Sequence, residues 1–101
     1  MREFVDLSGA SGASYRFKLT PRDRIPLRIA GNYAVVKPRG EAVSVLLVAE
    51  TNDLSRVHEL CAEAGVRGAV YVRLNVARST REAEHQDLVD RYLPKQAAAA
   101  E

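Results

Sequence analysis

The sequence predicts an α+β domain in which an antiparallel sheet packs with two helices. Residues 3–7, 14–19, 33–37, 43–49 and 69–75 carry the alternation or apolar runs of strands. The first four of these fall in two pairs, each joined by a short glycine-containing link, as in hairpins. Residues 51–65 and 79–92 carry apolar positions at helical spacing. A chain of 101 residues suits one domain with one modest core.

In the first hairpin, Tyr15, Phe17 and Leu19 alternate with Arg16 and Lys18, the pattern of a half-buried strand. Its link, Ser8-Gly9-Ala10-Ser11-Gly12-Ala13-Ser14, reads as a tight turn. The alternative is a cradle of backbone N–H groups for an anion. No lysine or helix start follows, so the segment is not a P-loop. Residues 20–30, with Pro21 and Pro26, form an irregular connection.

Tyr33-Ala34-Val35-Val36-Lys37 and Val43-Ser44-Val45-Leu46-Leu47-Val48-Ala49 make the second hairpin, around Pro38-Arg39-Gly40-Glu41. Its second strand is apolar on both faces, which predicts a place in the middle of the sheet. Thr51, Asn52 or Asp53 caps the next helix. Leu54, Val57, Cys61 and Ala64 form its core stripe, and Gly65 stops it. Cys61 reads as core packing and His58 as a helix-surface histidine. After the strand at 69–75, Ser79-Thr80-Arg81-Glu82 matches a capping box. The last helix runs to about Tyr92, with His85, Leu88, Val89 and Tyr92 on one face and Pro94 beyond its end. The expected organisation is a hairpin and proline-containing connection over 1–30, a core unit over 31–96, and a flexible alanine-rich tail over 97–101.

Hydrophobic residues at 47% and charged residues at 28% exclude wholesale disorder. No apolar run approaches the ~18–20 residues of a membrane helix. The opening residues lack a secretion signal's apolar stretch, and the single Cys61 excludes an internal disulfide framework and a cysteine-based zinc site. A cytoplasmic protein is therefore expected. Net charge is +2 but uneven. Residues 1–40 hold eight basic and three acidic side chains, and residues 41–101 hold seven and ten. The basic part suits phosphate, or is simply a solvated surface.

Three segments then resemble a known family. Gly31-Asn32-Tyr33 opens a strand. Leu47-Val48-Ala49-Glu50-Thr51-Asn52-Asp53-Leu54 ends the next strand and opens a helix. Asp87-Leu88-Val89-Asp90-Arg91-Tyr92-Leu93-Pro94 closes the last helix. Their order and spacing over 31–96 resemble the GIY-YIG nuclease domain, with Gly-Ile-Tyr, Tyr-Ile-Gly plus Thr-x-x-Leu, and Glu-x-x-Leu-Ile-x-x-Tyr-x-Pro. The leader Leu7-Ser8-Gly9-Ala10-Ser11-Gly12, with Tyr15 and Phe17, is similar to the opening of short bacterial members. The resemblance implies a three-stranded antiparallel sheet flanked by helices, with the N-terminal hairpin as an addition to it or a flap beside it.

The resemblance also implies phosphodiester hydrolysis where the family's site is kept. The first-motif tyrosine falls on Tyr33. The second tyrosine is replaced by Leu47, the phosphate-binding arginine by Val57, the metal-binding glutamate by His85, and the late asparagine by Ala97. Phosphoryl transfer leans on positioned charge, and Mg²⁺ or Mn²⁺ prefers carboxylate oxygen, so these losses point to a non-cleaving relative. Arg56 and Glu84 each sit one residue early, about 100° around a helix, which points both away from the motif face.

Three functions follow. The first is a catalytically degenerate nucleic-acid-binding protein, with DNA the expected ligand, contacted by Arg16, Lys18, Arg22, Arg24, Arg28, Tyr33, Lys37 and Arg39. The second is a protein-interaction module or homodimer that docks through Ile25, Leu27 and Ile29. The third is a nuclease with an atypical site of Tyr33, Arg56, Glu84 or His85 and a Mg²⁺ or Mn²⁺ ion. The first two need no metal or other cofactor.

Overall fold

The chain, described over residues 2–93 in a computed structural model, folds as one five-stranded antiparallel sheet with two helices. The strands are β1 (Phe4–Ser8), β2 (Ser14–Leu19), β3 (Gly31–Arg39), β4 (Ala42–Thr51) and β5 (Ala69–Leu74). A 3₁₀ turn at Leu54–Arg56 leads into helix α1 (Val57–Ala64), and α2 (Arg78–Tyr92) follows β5. The order across the sheet is β1-β2-β5-β3-β4. The predicted α+β class stands, but the sheet has five strands rather than three. β2 pairs β5 at Lys18↔Val72 and Leu19↔Tyr71, so the N-terminal hairpin is an addition to the sheet.

The helices cover opposite faces of the sheet. On the α2 side, Val5, Leu7, Phe17, Ala34, Val36, Val48 and Tyr71 meet Leu88 and Val89. On the α1 side, Tyr33, Val35 and Val70 meet Leu54, Val57 and Cys61. Cys61 is therefore a core residue, as its stripe predicted, whereas Ala64 at the end of that stripe is exposed.

This layering corrects the expected position of β4. It is apolar on both faces, yet it is an edge strand, because a helical layer covers each of its faces. Its alternation is also reset midway. Val35 pairs Leu47 while Val36 pairs Val45, so Leu46 is an extra residue opposite β3. Leu46 and Leu47 consequently pack on the same α1-side cluster, although strand neighbours ordinarily face opposite sides.

The local signals divide. Asp53 caps the 3₁₀ turn, its side chain accepting from the Ser55 N–H at 2.9 Å, and Gly65 closes α1 at φ 70°. The Ser79–Glu82 capping box does not form. The Arg81 N–H already donates to the Ala77 carbonyl at 2.9 Å, so the helix is wound before Ser79. Glu82 instead pairs with Arg78 at 2.9 Å. Residues 20–30 are irregular as expected, and Ala97 and the tail lie outside the described residues.

The Gly-Ser link is a turn, and Ser11 within it binds the Asp87 carboxylate of α2. Ser11 donates its backbone N–H to Asp87 Oδ1 at 2.8 Å and its hydroxyl to Oδ2 at 2.7 Å. The Tyr15 hydroxyl donates to Oδ2 at 2.7 Å. Gly9 sits so close to this carboxylate that a Cβ there would overlap it. The link is thus a turn, clamped on α2 through Asp87.

Candidate nucleic-acid interface

The residues of the atypical nuclease site do not assemble. Tyr33 is buried among Val57 and Cys61 on the α1 side. Burial, chiefly, raises its phenol pKa, with the neighbouring Cys61 and Glu63 adding to the effect. Its neighbour Asn32 faces the α2 side, where its side-chain amide donates to the Arg81 carbonyl at 3.2 Å. Glu84 lies on that second side. It accepts from Arg73 Nε at 2.8 Å and from Asn75 Nδ2 at 3.0 Å. The helical count that pointed Glu84 away is therefore corrected, because α2 presents Arg81, Glu84 and Leu88 together toward the sheet. His85 is half-buried on the same helix, with a buried Nδ1. Arg56 is exposed and pairs with Glu59 at 3.3 Å. At two other positions that the resemblance singled out, Leu47 packs on the α1-side core and Val57 belongs to it.

The basic residues do converge in part. In β1 and β2, the residues that alternate with the core set are Phe4, Asp6, Ser8, Ser14, Arg16 and Lys18, and all six are exposed. They lie on the α1 side of the sheet, beyond the reach of α1, whose cluster contains no β1 or β2 residue. On β5, Val72, half-buried against the edge of the α1-side cluster, and the exposed Leu74 continue this surface. Arg24, Ile25, Pro26 and Leu27 border it, enclosing a hollow of about 430 Å³. Arg16, Lys18 and Arg24 thus meet at one surface, and the Arg16 guanidinium lies 5.5 Å from the centre of the Phe4 ring.

Two of these cations have exposed partners. Arg16 Nε lies 3.0 Å from Asp6 and Lys18 Nζ lies 4.0 Å from Glu3. The hydrogen bond from Arg16 holds the Asp6 carboxyl below its ordinary pKa. Such solvent-facing pairs contribute little to stability. Arg22 and Arg28 are exposed on the same connection. Lys37 and Arg39 are elsewhere. Lys18 is level with Tyr33 through Val72, which puts Lys37 and Arg39 roughly 13 and 20 Å farther along β3. The basic N-terminal part is therefore split between two ends of the sheet.

The connection over 20–30 is held in place. Thr20 N–H donates to the Val70 carbonyl at 2.8 Å, and the Ile29 and Ala30 carbonyls accept from Leu54 and Asn75 N–H groups at 2.9 and 3.0 Å. His58 is more than a surface histidine. Its Nε2 reaches the carbonyls of Pro21 at 3.0 Å and Arg24 at 3.1 Å, tying the connection to α1.

Sequence reasoning missed a polar network under α2. Arg81 is 3% exposed. Its Nη1 donates to the carbonyls of Asn75 and Val76 at 3.2 and 3.0 Å, and its Nη2 donates to Asn52 Oδ1 at 3.3 Å. Its Nε lies 3.5 Å from Glu50 Oε1, an ion pair without hydrogen-bond geometry. Asn75 joins Asn32 to Glu84, and Arg73 lies 5.4 Å from the centre of the Tyr15 ring. Among the described residues, no three His, Cys, Asp or Glu side chains gather as a metal-binding group.

The Asp87 clamp carries a pH prediction. Hydrogen bonds from the Ser11 hydroxyl, the Tyr15 hydroxyl and the Ser11 N–H hold its carboxyl below the ordinary carboxylate range. A depressed folded-state pKa contributes stability that is complete above the ordinary carboxylate range and is lost as pH falls through the folded value. Asp87→Asn is expected to lower the melting temperature at pH 7 and to flatten the decline from pH 5 to pH 2. Parallel decline in variant and parent would show that the clamp contributes nothing to acid sensitivity.

No protein-family model, curated protein or solved structure matches the chain.

Proposed function

We propose that this is a non-cleaving nucleic-acid-binding protein with a GIY-YIG-like core, binding through the uncovered face of β1, β2 and β5. The observation that carries this reading is that Arg16, Lys18 and Arg24 line one hollow together with Phe4. Cations contact phosphates, and an aromatic ring among them offers a stacking platform for a base. The split of Tyr33 from Glu84 and His85 across the sheet favours binding over cleavage. The strand, strand, helix, strand, helix order from Gly31 onward supports the core assignment by analogy of fold alone.

The test is fluorescence anisotropy with labelled duplex, branched and single-stranded oligonucleotides at two salt concentrations. Binding is expected to weaken steeply with salt. Combining Lys18→Glu with Arg24→Glu is expected to flatten the slope of log K against log salt by roughly 0.7–0.9 for each phosphate no longer neutralised. Unchanged binding in that variant overturns the reading.

A second reading, a protein-docking module, draws on the exposure of Ile25 at 75% and Leu27 at 63%. Light scattering after size exclusion tests its self-associating form, in which Ile25→Ser with Leu27→Ser turns a dimer into a monomer.

A further inference from the structure

We infer that the uncovered sheet face selects single-stranded nucleic acid over duplex, an inference that rests on the binding reading above. Four of the large apolar side chains left exposed, Phe4, Ile25, Leu27 and Leu74, line the same hollow as Arg16, Lys18 and Arg24. A duplex would bring its phosphate backbone and groove edges to this hollow, with its base faces stacked out of reach inside the helix. The cations would be matched, but the apolar side chains would press on charged oxygens and strip their water. A single strand brings both complements. Its bases are free to stack on Phe4 and to pack on Leu74, Ile25 and Leu27, while its phosphates reach the surrounding cations.

The surface is built to hold that shape. Phe4 and Lys18 are register partners across the β1–β2 hairpin, so ring and charge stand side by side on regular strands. The Arg16 guanidinium lies over one face of the Phe4 ring, 5.5 Å from its centre, and adds its own flat cationic plane to the platform. The opposite wall, Arg24 to Leu27, belongs to the connection that His58 and the backbone hold in place. Charge and stacking are therefore separable by substitution.

The experiment compares a labelled 12-nucleotide single strand with the duplex of the same sequence, for parent, Phe4→Ala and the Lys18→Glu, Arg24→Glu pair, at two salt concentrations. The expected result is tighter binding of the single strand. Phe4→Ala should weaken single-strand binding roughly tenfold, the effect of removing one stacking platform, and leave the salt slope unchanged. The charge variant should flatten the slope for both ligands. Equal affinity for strand and duplex, or no effect of Phe4→Ala, overturns the single-strand inference while a flattened slope keeps the binding reading. No effect of the charge variant, or no binding by the parent, overturns both. Phe4 is exposed on an edge strand, so its truncation leaves the core intact, which a thermal melt verifies.

Discussion

Arg81→Met is expected to lower the stability of the protein by about 3 kcal/mol, the lower end of what breaking a buried ion pair costs. The guanidinium of Arg81 is almost fully enclosed and serves three elements at once. It holds the carbonyls of Asn75 and Val76 in the β5–α2 link, the Asn52 side chain after β4, and the Glu50 carboxylate near the end of β4. Methionine keeps much of the volume but donates nothing, leaving two carbonyls and a partly buried carboxylate without a partner. The Glu50 side chain is 27% exposed and recovers some water, which sets the lower end of the range. Urea denaturation measures the loss. A companion Glu50→Gln, alone and combined with Arg81→Met, isolates the ion pair from the carbonyl bonds. A loss under ~1 kcal/mol would mean that water replaces the guanidinium freely at this site.

Phe17→Ala is expected to cost about 3–5 kcal/mol and to lower the entire chain's stability in one transition. Only two register pairs join β2 to β5, so ladder hydrogen bonds contribute little to holding the N-terminal hairpin. Packing holds it: Phe17 is fully buried with Val5, Leu7 and Tyr71 from the sheet and Leu88 and Val89 from α2. The Tyr71 hydroxyl adds a bond to the Arg2 carbonyl at 2.6 Å. Against a total of roughly 5–15 kcal/mol, that loss removes a large share of the stability. Coincident fluorescence and circular-dichroism transitions at a lower urea midpoint are expected. Separate transitions would mean that residues 1–30 unfold as an independent unit.

What was legible in the sequence follows from how local each signal is. The alternation of Tyr15, Phe17 and Leu19 and the stripe of Leu54, Val57 and Cys61 state their buried faces directly, and the structure buries or half-buries all six. Asp53 and Gly65 act within one turn of the chain and are equally plain. The place of β4 was not legible, because an apolar strand reads the same under a helix as it does between two strands. The capping box failed because the hydrogen bond from Arg81 to Ala77 starts α2 before Ser79.

At the candidate interface, the bias of charge toward the N-terminus was visible, but its division was not. Lys37 and Arg39 are near Arg28 in sequence and separate from the hollow only through the β2–β5–β3 register. Phe4 carried no signal of its own. It became notable once β1 paired with β2 and set the ring beside Lys18. Arg81 was hidden for the same reason, since its partners Glu50, Asn52 and Asn75 come from three separate positions in the chain.

The extra residue in β4 has a consequence for how molecules of this protein meet one another. At ten residues β4 is the longest strand, and it lies at an edge rich in valine and leucine. A long flat edge of that composition is a template on which further chains add, the first step toward fibrillar aggregation. Leu46 divides the ladder with β3 into five pairs on one side and four on the other. The bend and added twist of a bulge leave two short edges at an angle instead of one long one. Such an interruption is one of the devices that blunt a sheet edge against the addition of further strands.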